Sequence, residues 1–158
     1  MEYSIKAPLT FIYNSAVPYD WYTTLTSKQN NTLWSEEGSK SIYDPCPRGW
    51  HIPSDGTWND FVPTNFLYYI EGLQQSSGNY YASNGRLYNH CTWYPAAGRR
   101  LDITGKLNGI GSVGYYWSAS TVANTIYTKA LYFRMTDFYT SFPGSSRSAG
   151  RPARCVQE

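Results

Sequence analysis

The sequence GYYWSAS at residues 114–120 is followed by ALYFRM at residues 130–135 and by RCV at residues 154–156. In order, these stretches predict a buried aromatic turn, an alternating strand and a closing strand that carries a cysteine. A loop rich in Gly, Ser and Pro precedes the last of them. We expect the rest of the chain to be organised around this C-terminal region, and we expect the functional surface to lie there.

The segment at residues 129–136 alternates with a period of two, which is typical of a half-buried strand. Tyr and Arg are enriched where proteins contact partners, so we predict that the face carrying Tyr132 and Arg134 is exposed and binds a ligand. The alternative is an ordinary solvated strand face. The predicted inner face consists of Leu131, Phe133 and Met135, and the predicted outer face of Ala130, Tyr132, Arg134 and Thr136.

Length and composition indicate one domain of 158 residues that buries a core without help. With 13 basic and 11 acidic residues the net charge is +2, and because no Lys/Arg run occurs we predict no nucleic-acid partner. The 16 Tyr and 6 Trp residues, with abundant Ser and Asn, are typical of adaptable recognition surfaces. The alternative is a β-protein that uses Tyr for amphipathic packing.

No apolar run reaches the length of a membrane span, and the N-terminus lacks a basic start followed by an apolar stretch. We therefore predict no direct insertion into a membrane. The strand-like residues directly after Met1 suggest an added start residue on a fragment. We expect the chain to be the C-terminal module of a longer secreted or surface protein.

The three cysteines leave two interpretations open. Cys46, Cys91 and Cys155 form no CxxC pair, so the sequence predicts no zinc site. A bridge between Cys46 and Cys155 would close a loop of roughly 110 residues and indicate an oxidising compartment, with Cys91 free and buried. The alternative is a cytosolic protein with three unpaired, buried thiols.

Turn signals divide the first part of the chain into short elements. We predict an edge strand at residues 5–13, interrupted by Pro8, and then a loop at residues 14–31 with an aromatic plug. Ser54 or Asp55 caps a short helix after the first cysteine. The apolar positions of this helix, at helical spacing, are Trp58, Phe61 and Val62.

The middle of the chain favours strands and loops. Residues 65–70 form either a second turn or a strand, and an Asn-Gly turn favours a hairpin between Tyr80-Tyr81 and Leu87-Tyr88. A strand at residues 93–100 and a turn-rich loop at residues 101–113 follow. The predicted architecture is mostly β and loop, with one or two short helices.

Five stretches carry a resemblance to a known family: Asp20-Trp21-Tyr22, IYDPCPRGWHIP at residues 42–53, YPAAG at residues 94–98, GYYWSAS at residues 114–120 and Arg154-Cys155-Val156. Together they resemble the Fibrobacter succinogenes major paralogous domain, which is common in surface proteins of Bacteroidetes. The match runs in the family's order over about residues 10–158, and DPCPxGWxxP with a terminal RCV is its most specific part.

That family is similar in turn to the C-type lectin fold. The resemblance implies close termini, a helix after the first cysteine, a small twisted antiparallel sheet and a long loop region that binds ligands. The expected fold class is therefore α+β, β- and loop-rich, as one C-type lectin-like domain over residues 1–158. The family's two landmark cysteines match Cys46 and Cys155, so the resemblance implies that these two residues form a disulfide.

Some proteins with this fold are variable proteins of diversity-generating retroelements or receptor-binding tips of phage tail fibres. In them the segment before the closing strand is diversified toward Tyr, Asn, Ser, Thr and Asp. The corresponding segment here runs from Thr121 to about Ser148. The resemblance marks its polar and aromatic residues as candidate ligand-binding residues: Asn124, Thr125, Tyr127, Tyr132, Arg134, Asp137, Tyr139 and Ser141.

Trp58-Asn59-Asp60 spells the tripeptide through which calcium-dependent lectins hold calcium. Here it falls early, on the predicted helix, and the partner motif Glu-Pro-Asn or Gln-Pro-Asp does not occur. Calcium requires about six to eight oxygen ligands, and the acidic residues show no cluster in the sequence. We therefore predict no metal site and no cofactor.

Formylglycine-generating enzymes share a related fold and need two accessible thiols. A bridge between Cys46 and Cys155 would leave Cys91, and His90 beside it would point to the opposite face of a strand. No Gly-x-Ser-x-Gly elbow, phosphate loop or His-Glu-x-x-His motif occurs. We predict that the chain is not an enzyme, with this enzyme type as an alternative, and that Trp50 and Trp117 are core aromatics.

The sequence thus predicts an extracellular ligand- or receptor-binding domain at a cell surface or on a virion. An adhesin, a fimbrial tip and a phage tail-fibre tip are the expected settings, and a cell-surface protein or glycan is the expected partner. A structural fibre cap without a ligand is a further alternative. The sequence leaves the oligomeric state open.

Overall fold

The computed structural model describes residues 6–7, 9–34, 40–76, 84–123 and 125–157. Within these ranges short antiparallel strands are joined by turns, which confirms the prediction of a β- and loop-rich fold with small antiparallel sheets. Two 3-10 helices span Thr26–Lys28 and Asp55–Trp58. The strands are β1 Trp50–His51, β2 Phe66–Ile70, β3 Leu73–Gln75, β4 Gly85–Tyr88, β5 Thr92–Pro95, β6 Arg99–Arg100, β7 Leu107–Asn108, β8 Val113–Thr121, β9 Tyr127–Arg134, β10 Phe138–Ser146 and β11 Val156–Gln157.

The sheet of β8, β9 and β10 organises the molecule, with β9 in the middle. The stretch at residues 114–120, expected as a turn, is instead part of the long strand β8. Tyr116 lies opposite Leu131, and Gly114 lies opposite Phe133. A side chain at Gly114 would overlap the Phe133 ring, so glycine leaves room for that ring to lie over β8.

One face of this sheet packs against the four-stranded sheet β3-β2-β4-β5 through aromatic rings. The ring of Phe66 meets Phe133 edge-on with 5.4 Å between centroids and meets Phe138 at 5.3 Å. Trp58 and Phe61, on and just after the second 3-10 helix, complete this core. Large rings bury much apolar area per residue, which suits a chain with few long apolar runs.

The other face of the three-stranded sheet is buried as well. Tyr132 packs against Tyr115, at 5.1 Å between centroids, and against Phe142, at 4.9 Å, and it is 9% exposed. The prediction that Tyr132 stands on a solvated strand face is therefore wrong. The rings that bury Tyr132 come from the neighbouring strands β8 and β10, and farther along the same face Trp34 of the N-terminal segment lies edge-on to Trp117 at 6.5 Å.

A buried arginine joins the two sheets. Arg86 of β4 is 5% exposed and donates hydrogen bonds to the carbonyl oxygens of Phe66, Arg134 and Met135. Burial lowers the pKa of Arg86 to about 10, which leaves it charged at neutral pH. The guanidinium therefore satisfies the carbonyl groups at the end of β9, while the ring of Phe138 lies 5.1 Å from Cζ.

A disulfide joins Cys46 to Cys155, as predicted. Beside it β1 and β11 pair antiparallel, with His51 opposite Val156. The C-terminal strand is thereby fixed to the DPCP turn, 109 residues earlier in the chain. This crosslink holds the ends of the described core together.

Asp44 explains the first half of the DPCP motif. Its carboxylate is buried and accepts hydrogen bonds from the backbone N–H groups of Cys46, at 2.8 Å, and Ile52, at 3.1 Å. Lys40 Nζ lies 2.7 Å from the same carboxylate. Burial alone would raise the pKa of Asp44, but these hydrogen bonds and the Lys40 charge outweigh it and lower the pKa. Asp44 thus fixes the turn that presents Cys46 to its partner.

Two predictions about burial are wrong. Cys91 is free, as expected, but it is exposed, because it lies in the tight β4–β5 turn rather than on a strand. Asn89 and His90 in this turn have positive φ values of 46° and 56°. Trp50 is 40% exposed because it lies in the two-stranded pair at the edge of the fold, whereas Trp117 is 5% exposed, as predicted for a core residue.

Local element predictions met mixed outcomes. The predicted helix is a single 3-10 turn in which Ser54 makes no side-chain cap hydrogen bond, and Val62 after it is 44% exposed. The open question at residues 65–70 is answered by strand β2. Residues 9–13 of the predicted first strand form turn and irregular structure. Tyr80 and Tyr81 of the predicted hairpin lie outside the described residues, while Leu87 and Tyr88 lie in β4, between β2 and β5.

Candidate functional site

The sequence-predicted ligand residues lie on the β9–β10 hairpin and on the turn before it. Asn124 lies outside the described residues. Thr125 is exposed in the β8–β9 turn, where its Oγ1 donates to the Val122 carbonyl at 3.0 Å and accepts from the Tyr127 N–H at 3.2 Å. Thr125 therefore shapes the turn into β9, and Tyr127 begins that strand half-buried.

Arg134 and Asp137 form an ion pair across the β9–β10 turn. Nε and Nη2 of Arg134 each lie 2.6 Å from one Asp137 carboxylate oxygen. The Arg134 N–H also donates to the Asp137 carbonyl at 2.9 Å. This bidentate geometry stabilises the turn and occupies the edge of the guanidinium that was expected to grip a ligand.

Tyr139 and Tyr132 lie opposite each other but differ in exposure. Tyr139 of β10 is 51% exposed, and its ring lies 5.8 Å from that of the buried Tyr132. Of this pair, Tyr139 alone offers a ring face to solvent.

Ser141 is engaged in a network that joins the short helix to the hairpin. Its Oγ donates to Asp55 Oδ2 at 2.6 Å, and Lys129 Nζ lies 2.8 Å from the same oxygen. Burial alone would raise the pKa of Asp55, but hydrogen bonds from Lys129, Ser120 and Ser141 outweigh it and lower the pKa to about 2. Ser141 thus has a structural partner in place of the free hydroxyl that the sequence suggests.

The predicted residues do not converge on one site. Tyr127 begins β9 and Arg134 ends it. At roughly 3.3 Å per residue the two ends are about 23 Å apart. The hairpin therefore separates the predicted set into a group near the β8–β9 turn and a group near the β9–β10 turn.

A cleft of about 230 Å³ lies between the N-terminal segment and strand β8. Its lining combines five aromatic rings with amide, hydroxyl and charged groups. The lining residues are Asp20, Trp21, Tyr22, Asn30, Asn31, Leu33, Trp34, Tyr43, Trp117, Ser118, Ala119, Thr121, Thr128 and Arg147. We call it the aromatic cleft.

Hydrogen bonds hold the indole rings of the aromatic cleft in place. Trp34 Nε1 donates to the Tyr43 carbonyl at 2.8 Å, and Trp21 Nε1 donates to the Ile12 carbonyl at 3.1 Å. Because both indole N–H groups are used, these residues offer ring faces rather than hydrogen-bond donors to a ligand. Trp21 is 44% exposed, so part of its ring is accessible to a ligand in the cleft.

Two partly exposed tyrosines lie beside the indole rings in the aromatic cleft. Tyr22 and Tyr43 are 45% and 44% exposed and meet edge-on at 5.9 Å between centroids. Rigid tyrosines supply contact area at small entropy cost. The cleft therefore presents preformed ring faces to solvent.

A charged rim closes one side of the cleft. Arg147 Nη2 donates to Asn31 Oδ1 at 2.6 Å, and Nη1 lies 3.8 Å from Asp20 Oδ2. Arg147 follows the hairpin, whereas Asp20 and Asn31 belong to the N-terminal segment, so these contacts also fix the cleft width. Amide groups beside ring faces suit a ligand that has one apolar face and a polar edge.

The calcium-like tripeptide and the two cysteines of the enzyme alternative both take part in contacts within the fold. Trp58 of the calcium-like tripeptide is buried in the core, and the Asp60 carboxylate accepts a hydrogen bond from the Tyr88 hydroxyl. In the described ranges no group of three or more His, Cys, Asp or Glu side chains is placed to hold a metal ion. Cys46 and Cys155, the thiols that an enzyme of the formylglycine-generating type would need, are bonded to each other.

Sequence reasoning missed the role of the N-terminal segment in this cleft. The sequence predicts an aromatic plug at Asp20-Trp21-Tyr22, whereas Trp21 and Tyr22 are exposed in the structure. The available signal was the density of Trp, Tyr and Asn over residues 20–43, the same composition that marks recognition surfaces.

Comparisons with family models, with curated proteins and with solved structures found no match to this chain. No helix in the described part of the chain has the length and apolar composition needed to span a bilayer.

Proposed function

We propose that this protein is a non-catalytic recognition domain of the C-type lectin-like type, and that it binds its ligand in the aromatic cleft. The observation that carries the proposal is a preformed cleft in which Trp21, Tyr22 and Tyr43 are partly exposed, while the indole N–H groups of Trp21 and Trp34 are satisfied within the fold. Exposed ring faces in a concave site favour ligand binding because water leaves them on contact.

The predicted variable segment contributes to this cleft. Thr121, Thr128 and Arg147 all belong to residues 121–148 and line it, while the opposite wall comes from the N-terminal segment. In this proposal the N-terminal aromatics supply constant contact area and the later segment sets specificity. This arrangement fits a variable protein of a diversity-generating retroelement.

The setting that we propose is extracellular, on a cell surface or a virion, as in an adhesin, a fimbrial tip or a phage tail-fibre tip. The disulfide supports it, because such bonds persist in oxidising compartments. A cell-surface glycan or protein is the proposed partner, since ring faces bordered by amides and one arginine suit either a sugar or a side-chain cluster.

The proposal is tested by comparing two variants on glycan arrays and on intact bacterial and host cells. Tyr22→Ala/Tyr43→Ala removes the exposed rings of the cleft, and Tyr139→Ala removes the exposed ring of the hairpin. We expect the cleft variant to bind at least about tenfold more weakly, as for aromatic anchors of interfaces, while Tyr139→Ala binds like the wild type.

The control is Leu73→Ala, an exposed apolar residue on β3 that does not line the cleft. All variants must keep the wild-type melting temperature. Loss of binding in Tyr139→Ala alone would move the ligand to the hairpin and contradict the cleft assignment. Failure of the wild type to bind any surface saturably would contradict a recognition function and favour the structural fibre cap.

A further inference from the structure

Two arginine side chains lie side by side next to the outer edge of the three-stranded sheet. Arg100 and Gly150 form an antiparallel bridge, exchanging hydrogen bonds of 2.7 and 3.0 Å. In such a pairing the next residues, Arg99 and Arg151, oppose each other with close side chains on one face. We call these two residues the arginine pair.

The side chains of the arginine pair meet over one tyrosine ring. Cζ of Arg99 lies 4.9 Å from the Tyr115 ring centroid, and Cζ of Arg151 lies 4.7 Å from it. Arg151 also lies 4.7 Å from the centroid of Trp117. The rings attract the cations, but they carry no net charge with which to neutralise them.

In the described part of the chain the arginine pair forms no ion pair, and the charge of Asp102 favours the protonated form of Arg151 without pairing with it. Unlike Arg134, which pairs with Asp137, neither Arg99 nor Arg151 forms an ion pair with a described carboxylate. The Nε atoms of both are buried without an acceptor, and the hydrogen bond that Arg151 donates goes to the neutral hydroxyl of Ser145.

Two like charges in this position oppose each other in the unliganded protein. Burial, and then the nearby charge of Arg99, lower the pKa of Arg151 to about 10. At neutral pH Arg151 remains charged, because this pKa lies well above 7. Like charges directly opposite on neighbouring strands are destabilising, and burial strengthens the repulsion.

We propose that the arginine pair binds an oxyanion, such as a carboxylate, sulfate or phosphate group. Guanidinium groups match the geometry of such oxygens and form strong charge-assisted hydrogen bonds with them. An anion beside the two guanidinium groups neutralises their repulsion and accepts charge-assisted hydrogen bonds from their terminal N–H groups. The described lining of the aromatic cleft includes neither arginine, so this site is separate from the proposed ligand site, although Trp117 contacts both.

The test is a calorimetric titration of the full chain with sodium sulfate and with sodium acetate, in chloride at matched ionic strength. We expect saturable binding of at least one oxyanion to the wild type. Arg99→Gln should weaken that binding about tenfold or more, because it removes charged hydrogen bonds to the anion. Binding of sulfate but not of acetate would show that the site prefers a tetrahedral oxyanion. Binding of acetate but not of sulfate would show that it prefers a carboxylate.

A matched control is Arg100→Gln, which removes the same charge from the neighbouring residue. Arg100 lies over the Phe11 ring at 5.5 Å and donates to the Gly105 carbonyl, so it does not belong to the pair. We expect this variant to keep the wild-type affinity for the oxyanion. Equal weakening in Arg99→Gln and Arg100→Gln would show only general charge attraction and would overturn the proposal, as would an absence of saturable binding to the wild type.

A second measurement separates the site from a folding effect. In dilute chloride Arg99→Gln should melt at the wild-type temperature or above it, because the like-charge repulsion is gone. Added sulfate should raise the melting temperature of the wild type more than that of Arg99→Gln. A lower melting temperature of Arg99→Gln in dilute chloride would show that the arginine pair stabilises the fold without an anion, contrary to the proposal.

Discussion

Asp55 shows how one carboxylate ties the second 3-10 helix to the central hairpin. Its Oδ2 accepts hydrogen bonds from Lys129 and Ser141, while the Asp55 N–H donates to Ser120 Oγ at 3.1 Å. These partners come from β8, β9 and β10, so a single side chain contacts all three strands of the sheet. We therefore expect protonation of Asp55 to weaken the contact between the second 3-10 helix and the three-stranded sheet.

Acid should weaken the fold through this residue. The pKa of Asp55 is about 2, below its ordinary value of 3.8, so the folded protein favours the charged form. The stabilisation is complete above about pH 4 and is lost as the pH falls toward 2. Allowing for partial exposure, we expect Asp55→Asn to lower the free energy of unfolding by about 1–2 kcal/mol at pH 7 and to reduce its decline below pH 4.

Urea unfolding at pH 7 and at pH 2.5 measures this effect. Glu71→Gln is the control, because Glu71 is an exposed carboxyl residue in the β2–β3 turn. We expect this variant to follow the wild-type pH dependence. If the free energy of unfolding of Asp55→Asn falls with acid as steeply as that of the wild type, the Asp55 charge does not stabilise the contact between helix and sheet.

At the scale of elements, the alternation in β9 correctly predicts the burial of one face of the strand but not that of the other. Leu131 and Phe133 lie in the core, as the period of two indicates. The alternation predicts a solvated opposite face, yet Tyr132 on it is buried, because the large rings of Tyr115 on β8 and Phe142 on β10 pack against it. Periodicity shows which side chains share a face, but it carries no information on how many faces later packing will cover.

Gly114 shows how closely the Phe133 ring packs over strand β8. It faces Phe133, and an added Cβ would overlap that ring. Gly114→Ala forces the ring or the strand to move in a packed core, so we expect a loss of about 1–3 kcal/mol in the free energy of unfolding. Chemical denaturation followed by Trp fluorescence measures this loss.

Gly56→Ala is the matched control, since Gly56 is exposed in the short helix and an added Cβ there would lie 3.3 Å from Ser54 Oγ, a side-chain atom that can move. We expect this change to alter the free energy of unfolding by less than about 0.5 kcal/mol, as for surface substitutions. If Gly114→Ala is as stable as Gly56→Ala, the Phe133 ring can move aside without loss of packing, and the prediction is wrong.

For the whole molecule, the Cys46–Cys155 disulfide restricts the unfolded chain more than it adds contacts. The cysteines are separated by 109 residues, and in the chain-entropy model a loop of this size contributes about 4–5 kcal/mol. We expect reduction, or the Cys46→Ser/Cys155→Ser variant, to lower the free energy of unfolding by that order. Denaturation with and without a reducing agent measures it, and Cys91→Ser should leave the difference unchanged.

An unaltered unfolding free energy after verified reduction would contradict that account. The β1–β11 pair and the Asp44 turn would then hold the ends of the core without the crosslink.

The aromatic cleft is formed by segments that are distant in the chain. The sequence therefore indicates its residue types but not its location. Trp21 and Trp117 line one cavity although nearly a hundred residues separate them in the chain. The composition of the whole chain indicates recognition without locating it, while the resemblance indicates the later segment. Only the packing of one segment on the other joins the two indications.

The exposed thiol of Cys91 has a practical use. The other two cysteines are bonded to each other, and the described lining of the cleft includes no residue of the β4–β5 turn. A maleimide-biotin linker at Cys91 would therefore anchor every molecule on a sensor chip in one orientation, with the aromatic cleft and the arginine pair unmodified. The same thiol also allows two copies to crosslink during storage in air, so preparations for binding work should be capped or kept under mild reductant.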